Sequence, residues 1–538
     1  MRRAILSAAL LFLAHVAPVG AQDLRVRARP AAIPQDRPEA EVFLSTLDAL
    51  SRLSLNAKSD SALWEAGIQG MLESLQDPYA SVFSPVEAEA WEEETTGNYS
   101  GIGLQITLLN DEVTVTAVFR NAPANDAGVQ VGDVIVGVNE HDATDWDTGM
   151  AADSIRGPVG TKVWVRIRRE GFVEPIPFEI TRAEVHVPAV SYGIMEGNIG
   201  YALLDRVARN AAQEMDQALR ELGNTRGLII DLRRNPGGFL DESLMLADIF
   251  LTPGSKLAST SQRAPGGGAV EMDEESYEDR WPARVPNLPV IVLVDRFTAS
   301  GAEIFAGALQ DYDRALVMGE RSFGKGLVQT VLRLPHDRRL RFTTGEWQTP
   351  LGRSLHRPRD MEMRPLEEDL DTFPHISTQS GRSLLNGGGV FPDIAVEEDT
   401  LTLAERELLR VAGEKELPLG VRLAEFAFDV AKELRAGGRP PTLDPARFDA
   451  FADGLVAAGI PAETLDAPGV RDYLAWRVRL TIANRMDAIG READFRMERD
   501  PALTEAVRLL GSVTSQADLF RAADAQVARR GDAAGGAR

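Results

Sequence analysis

Three stretches of the chain carry residue types whose spacing could perform hydrolysis. The first centres on Ser300, which follows an apolar run, PVIVLVD (289–295), and the residues RFTA. It directly precedes a helical pattern, GAEIFAGALQDY (301–312), in which Ile304 with Ala308 and Phe305 with Leu309 supply the apolar stripe. A serine there projects its hydroxyl at the carboxyl end of a sheet, where open α/β sheets place their sites. The backbone N–H groups that follow open a helix and face an anion, as an oxyanion hole requires. The same position also suits a plain N-cap serine. The second stretch is GERSFGKGLVQT (319–330), which holds Lys325, one of six lysines in 538 residues. A buried lysine can lose its proton and act as a base, whereas an arginine cannot. Gln329, four residues on, could orient the amine. The bland alternatives are a surface cation for Lys325 and a solvent-facing strand residue for Gln329. The third stretch is DLRRNPGG (231–238), where Gly237 and Gly238 follow a buried strand and let backbone N–H groups face a ligand. It could supply a second oxyanion donor, or be an ordinary strand-to-helix turn.

Composition narrows the chemistry further. Cysteine is absent and the six histidines, at 15, 141, 186, 336, 356 and 375, never fall at i, i+4 spacing. Thiolate sites, a cysteine nucleophile and a HExxH zinc site are therefore excluded, and no metal or cofactor is called for. A serine activated by a neutral lysine needs no histidine. The net charge of −23 argues against a nucleic-acid partner, which requires clustered cations. A length of 538 residues at 44% hydrophobic and 26% charged fits a globular chain of several domains.

The elements that must position these residues are legible in outline. Residues 1–21 read as a secretory signal peptide, with Arg2 and Arg3, an apolar run and a small-residue cleavage site before Gln22. An uncleaved anchor, leaving the protein membrane-associated, is the alternative. No later stretch is long and apolar enough to span a membrane. Residues 22–38 read as a linker. Over 39–95 two helical faces are expected, one through Phe43, Leu47, Leu50 and Leu53, the other through Trp64, Ile68, Met71, Leu72 and Leu75. Residues 96–184 alternate short β runs with turn signals, one helix falling at 145–155. From 185 to 397 the pattern is βαβ, with GLIIDLR (227–233), PVIVLVD and ALVMGE (315–320) as strands of a largely parallel sheet. Residues 264–279, GGG and then an acidic run, read as a solvated loop. Residues 398–538 read as a helical extension with a disordered end, RRGDAAGGAR.

TASGAEI, GERSFGKGLVQT and GLIIDLRRNPGG resemble the carboxy-terminal processing peptidases (tail-specific proteases). The lysine falls 25 residues and the glutamine 29 residues after the serine, as in that family. LQDPYASVFSP (75–85), YSGIGLQI (99–106), NAPANDAGVQVGDVIVGVN (121–139), TPLGRSL (349–355) and GGGVFPDI (387–394) extend the resemblance over about residues 39–397. It implies a multi-domain α/β and β chain: a ClpP/crotonase-like βαβ protease core with an inserted PDZ domain and helical ends. It further implies Ser300 as nucleophile, Lys325 as general base and Gln329 positioning the lysine. The oxyanion donors would be Gly301 with Gly237 or Gly238. Gly101, Ile102, Gly103 and Leu104 would bind the peptide carboxylate. The expected partners are proteins or peptides with accessible carboxyl termini, with a homo-oligomer or adaptor held through the terminal helices. The expected place is the periplasm or another exported compartment. Two departures, an insertion at 357–386 and the tail from 398, are read as clear of the dyad and bearing on regulation. The rival readings are an inactive PDZ scaffold and a crotonase-type acyl-CoA enzyme, the second disfavoured by the signal peptide and the PDZ-like module.

Overall fold

The structure, a computed structural model, describes residues 38–56, 58–264, 272–397 and 399–535. The residues read as a signal peptide, all but the last residue of the expected linker, and the GGG stretch lie outside the described residues. The described residues form two compact units, one within residues 38–88 and 329–344, the other within residues 89–328 and 345–535.

In the first unit, helices Pro38–Leu53 and Asp60–Ser74 form a hairpin, Ser59 capping the second by accepting the Ala62 N–H at 3.3 Å. The Phe43 and Trp64 rings meet at 5.6 Å. The expected apolar faces do not form a core: the first helix buries no residue and the second buries only Leu72. Two helices alone cannot enclose two apolar stripes. A short strand, Ser81–Phe83, pairs antiparallel with residues 339–341.

The second unit begins with a β module. Strands Leu104–Leu109, Glu112–Val118, Val134–Val138, Lys162–Arg168 and Ile176–Thr181 form one antiparallel sheet. Alternation decides its core, Val163, Val165 and Ile167 turning inward from KVWVRIR. Helix Thr148–Ile155 starts where Asp147 accepts the Met150 N–H at 2.8 Å. Strands Asn98–Gly101 and Ala183–His186 pair antiparallel and close the ends of the module.

The βαβ core is a six-stranded sheet built from Val190–Met195, Ile199–Leu204, Leu228–Asp231, Val290–Val294, Leu316–Gly319 and Ile394–Ala395, in that spatial order. All neighbours are parallel except the first pair. The central strands are buried on both faces, which is why they read as unbroken apolar runs. Helices Ala211–Leu222, Leu240–Asp248 and Gly301–Asp311 cover one face. Helices Pro501–Ser512 and Gln516–Gly535 cover the other, placing Leu503, Leu509, Leu510 and Leu519 against Ile229, Ile291, Leu293 and Met318. The tail is therefore part of the core. Helices Leu403–Glu414, Leu419–Ala436, Pro445–Ala457 and Val470–Arg485 pack into a separate cluster.

Two expectations are corrected. The acidic run is not a loop: Met272–Glu278 is a strand paired antiparallel with Lys256–Arg263, its charged side chains largely exposed along the sheet edge. The expected disordered end continues as helix to Gly535, as alanine-rich sequence favours, and residues 536–538 lie outside the described residues.

Candidate active site

Ser300 stands at the junction that its sequence context specifies, after the strand Val290–Val294 and immediately before the helix Gly301–Asp311. Its backbone has φ 52° and ψ −118°, a strained conformation for a residue with a Cβ, which persists only where neighbours over-determine it. Two hydrogen bonds do so: the Ala299 N–H donates to the Asn235 carbonyl at 2.9 Å, and the Ser300 N–H donates to Glu303 Oε2 at 2.8 Å. Below the serine, Asp295 Oδ1 accepts the N–H groups of Arg234, Phe297 and Thr298 at 3.0, 3.0 and 2.9 Å. The serine loop and the 231–238 loop are thereby tied together.

The glycine turn lies directly against the serine. A Cβ on Gly237, whose φ is +90°, would come within 2.5 Å of the Ala299 carbonyl oxygen and 2.8 Å of Ser300 Cβ. A Cβ on Gly238 would meet the Val207 carbonyl oxygen at 2.0 Å. The two glycines differ in what their N–H groups do. Gly237 donates to Asn235 Oδ1 at 2.8 Å, so its proton is already spent inside the turn. Among the described residues, no hydrogen bond takes the Gly238 or the Gly301 N–H. The Gly238 nitrogen lies 3.2 Å from the position a Cβ on Gly301 would take, so the two donors are neighbours.

Lys325 enters through the loop that follows strand Leu316–Gly319 and is half-buried. Its N–H donates to Glu303 Oε2 at 2.8 Å, and its carbonyl accepts Trp347 Nε1–H at 3.1 Å. Glu303 is the residue that sequence reasoning missed. Fully buried, it accepts from the Ser300 and Lys325 N–H groups on one oxygen and, on the other, from the Ser322 hydroxyl at 2.5 Å and the Gly324 N–H at 2.7 Å. Burial pushes its pKa up against the pull of these four hydrogen bonds. One carboxylate thus sets the serine and the lysine loop in register. Its signal was the Ser-x-x-Glu spacing at 300–303, a capping-box pattern.

The 357–386 insertion also belongs to this neighbourhood, against the expectation that it stays clear. The Arg357 N–H donates to the Gly324 carbonyl at 2.8 Å and Arg359 Nη2 to the Phe323 carbonyl at 2.7 Å, its guanidinium stacked 3.5 Å over the Phe323 ring. Glu368 pairs with both Arg321 and Arg357 at 2.7 Å. The polar character of the insertion is used to grip the lysine loop. At the far end of the serine helix, Asp311 pairs with the fully buried Arg353 of TPLGRSL at 2.7 Å. Gln329 belongs to the first unit, on strand Leu327–Arg333, and its amide donates to the Tyr79 carbonyl at 3.3 Å.

In the β module, the Ile102 carbonyl accepts the Ala124 N–H at 2.8 Å, and the Gly103 carbonyl accepts the Phe119 N–H at 3.0 Å. Gly103 has φ +83°, and a Cβ there would meet Ala122 Cβ at 2.2 Å. The N–H groups of Leu104 and Gly103 face the Tyr99 hydroxyl, whose pKa burial nonetheless raises. The Tyr99 ring lies over Gly101.

Residues 198–363 match Peptidase family S41 and residues 114–169 match PDZ domain, so the chain is a peptidase core carrying a PDZ domain. It is 32% identical over 382 residues to the Carboxy-terminal-processing protease of Bartonella bacilliformis, covering 68% of this chain and 79% of that protein. It is 30% identical to a Probable CtpA-like serine protease of Staphylococcus epidermidis, over 60% of this chain and 65% of that protein. Among solved structures it is similar to the photosystem II D1 C-terminal processing protease, at 26% identity over 71% of this chain and 99% of that chain, with a TM-score of 0.34. The chain belongs to the carboxy-terminal processing peptidase family.

Proposed function

We propose that the chain is an exported serine endopeptidase that selects protein substrates by their carboxyl-terminal residues and cleaves through a Ser300–Lys325 dyad. The observation that carries this reading is the bridge made by Glu303, whose single oxygen Oε2 holds the Ser300 and Lys325 N–H groups together beside the Gly238 and Gly301 donors. The neutral Lys325 amine takes the Ser300 hydroxyl proton as the oxygen attacks the scissile carbonyl carbon. The tetrahedral oxyanion is held by the N–H groups of Gly238 and Gly301. On collapse, the protonated lysine gives its proton to the leaving amine, and an acyl-enzyme ester remains on Ser300. The lysine then deprotonates a water that attacks the ester, and returns that proton to the serine oxygen as the acid departs. For Gln329 the orienting of the lysine amine rests on the family resemblance alone.

The PDZ domain binds substrate peptides, its Gly101–Leu104 segment taking the terminal carboxylate as the chain adds to the sheet edge. Tethering then raises the local concentration of the substrate. Export rests on the signal-like residues 1–21, and amino-terminal sequencing of the secreted protein from Gln22 would test it.

The decisive experiment incubates purified protein with casein and with peptides of defined carboxyl terminus. Ser300→Ala abolishes cleavage while the fold, read by circular dichroism, persists. Lys325→Arg is nearly as damaging because arginine keeps its proton. An active Lys325→Arg enzyme overturns the dyad, and an inactive wild-type protein favours the PDZ-scaffold reading.

A further inference from the structure

The tail helices do more than cover apolar surface. Where they meet the end of strand Leu228–Asp231 they contribute to a buried charge network. Asp231 is almost completely buried. Its Oδ2 accepts the Tyr201 hydroxyl at 2.8 Å and Arg233 Nη2 at 2.7 Å, while Oδ1 accepts Arg233 Nε at 2.9 Å. The tail closes the network from the other side. Asp500 Oδ2 lies 2.7 Å from Arg233 Nη2, and Arg496 Nη1 donates to the Tyr201 hydroxyl at 3.1 Å. Arg496 also stands 3.8 Å from Asp231 Oδ2. With the two tail residues in place, two carboxylates balance two guanidiniums in a site largely closed to water, where an unpaired charge is costly.

The turn that carries the oxyanion donor starts at this network. Arg233 is followed by Arg234 in the left-handed region, φ 63°, then Asn235, Pro236, Gly237 and Gly238. A left-handed arginine is strained and must be held by its neighbours. The Arg234 N–H is fixed by Asp295, the side chain of the preceding Arg233 is clamped between Asp231 and Asp500, and the following Asn235 N–H donates to the Leu232 carbonyl at 3.1 Å.

We propose that Asp500 and Arg496 are positioning residues, through which the carboxy-terminal extension holds the oxyanion turn in its working geometry. This inference rests on the Ser–Lys reading of the site. An oxyanion donor acts on the transition state, so its misplacement lowers kcat and leaves KM in place.

Asp500→Asn is the cleanest test. Asp500 Oδ1 caps the helix Pro501–Ser512 by accepting the Leu503 N–H at 2.9 Å, a task that asparagine performs equally well, whereas the Oδ2 contact with Arg233 is lost. Steady-state kinetics, the inhibition constant of a peptide boronate that forms a tetrahedral adduct on serine, and Tm are measured together. We expect kcat to fall about ten- to a hundredfold, KM to stay within about twofold, and boronate affinity to fall with kcat. Tyr201→Phe, which keeps the ring but removes the hydroxyl between Asp231 and Arg496, moves the same quantities the same way and serves if Asp500→Asn fails to fold. Asp524→Asn, on the exposed side of the last helix, changes none of them. Full kcat and full boronate affinity in both variants, even with a lowered Tm, overturn the inference and leave the tail a packing element. A raised KM with unchanged kcat overturns it as well. The Ser–Lys reading fails separately: if Ser300→Ala still cleaves, or the boronate does not bind the wild-type protein, that reading falls and takes this inference with it.

Discussion

Two buried carboxylates, Glu303 and Asp231, hold loops of the candidate site by opposite means. Glu303 accepts only neutral donors, three backbone N–H groups and one hydroxyl. Burial dominates there and raises its pKa. Asp231 is buried as deeply, and burial, the largest single influence, would raise it too, but the Arg233 and Arg496 guanidiniums and the Tyr201 hydroxyl together outweigh burial and hold it below the usual carboxylate range. The difference follows the charge that each side must handle in the proposed reaction. Beside the lysine, the neutral donors to Glu303 fix the loop backbone and add no charge of their own. Beside the oxyanion turn the developing charge is negative, and guanidiniums behind the loop do not oppose it.

The largest test of this contrast is steric. Gly238→Ala puts a methyl 2.0 Å from a backbone carbonyl, so the turn itself must move. Activity should fall by about a thousandfold, the upper end of the cost of losing an oxyanion donor, with no side-chain substitution restoring it. Gly301→Ala meets instead the Ser243 hydroxyl at 2.4 Å, a side-chain atom. Adding Ser243→Ala should therefore return most of the kcat that Gly301→Ala loses, and a double variant as inactive as the single one would show that the helix start also cannot move.

Next in size is Glu303→Gln. An amide has one accepting oxygen for four donors, and its NH2 would face two of them. Each buried donor left unpaired costs about 1–3 kcal/mol. We expect kcat to fall about a hundredfold, as for a small displacement of reacting groups, together with a lowered Tm. Wild-type kcat in this variant would break the comparison, because the serine and lysine loops would then keep their register without the carboxylate.

The smallest effect is a pH dependence of stability with opposite signs at the two sites. The depressed Asp231 contributes stability above its unfolded pKa of about 3.9, lost as pH falls through the lower folded value. The raised Glu303 does the reverse: its contribution is fullest below about pH 4.3 and is lost as pH rises through the higher folded value. In urea unfolding between about pH 2.5 and 4, Asp231→Asn should therefore flatten the acid loss of stability, and Glu303→Gln should not.

Much of the site was legible because its parts are local in sequence. Ser300 after a buried strand and before a helix, the paired glycines after another strand, and a rare lysine between glycines each announce themselves within about ten residues. The doubly buried strands were readable for the same reason, since an unbroken apolar run already states that both faces are covered. The choice between Gly237 and Gly238 was not readable, because it depends on where the Asn235 side chain folds back. The grip of the insertion on Phe323 and Gly324 and the seating of Asp500 on Arg233 were equally hidden, as they join segments far apart in the chain.

The two helical ends show the boundary most plainly. Both carry apolar stripes, yet the amino-terminal helix Pro38–Leu53 buries nothing, while the last two helices complete the core of the central sheet. A stripe declares that a helix has a face to bury; which surface it meets depends on the path of the whole chain. The sequence by itself determined the serine and lysine that the proposed reaction uses, the strands that present them and the turn glycines, because covalent neighbours and short-range sterics specify those. Only the tertiary structure decided which carboxylates hold the loops, which N–H groups stay available, and that the tail is part of the core, because those outcomes require distant segments to meet.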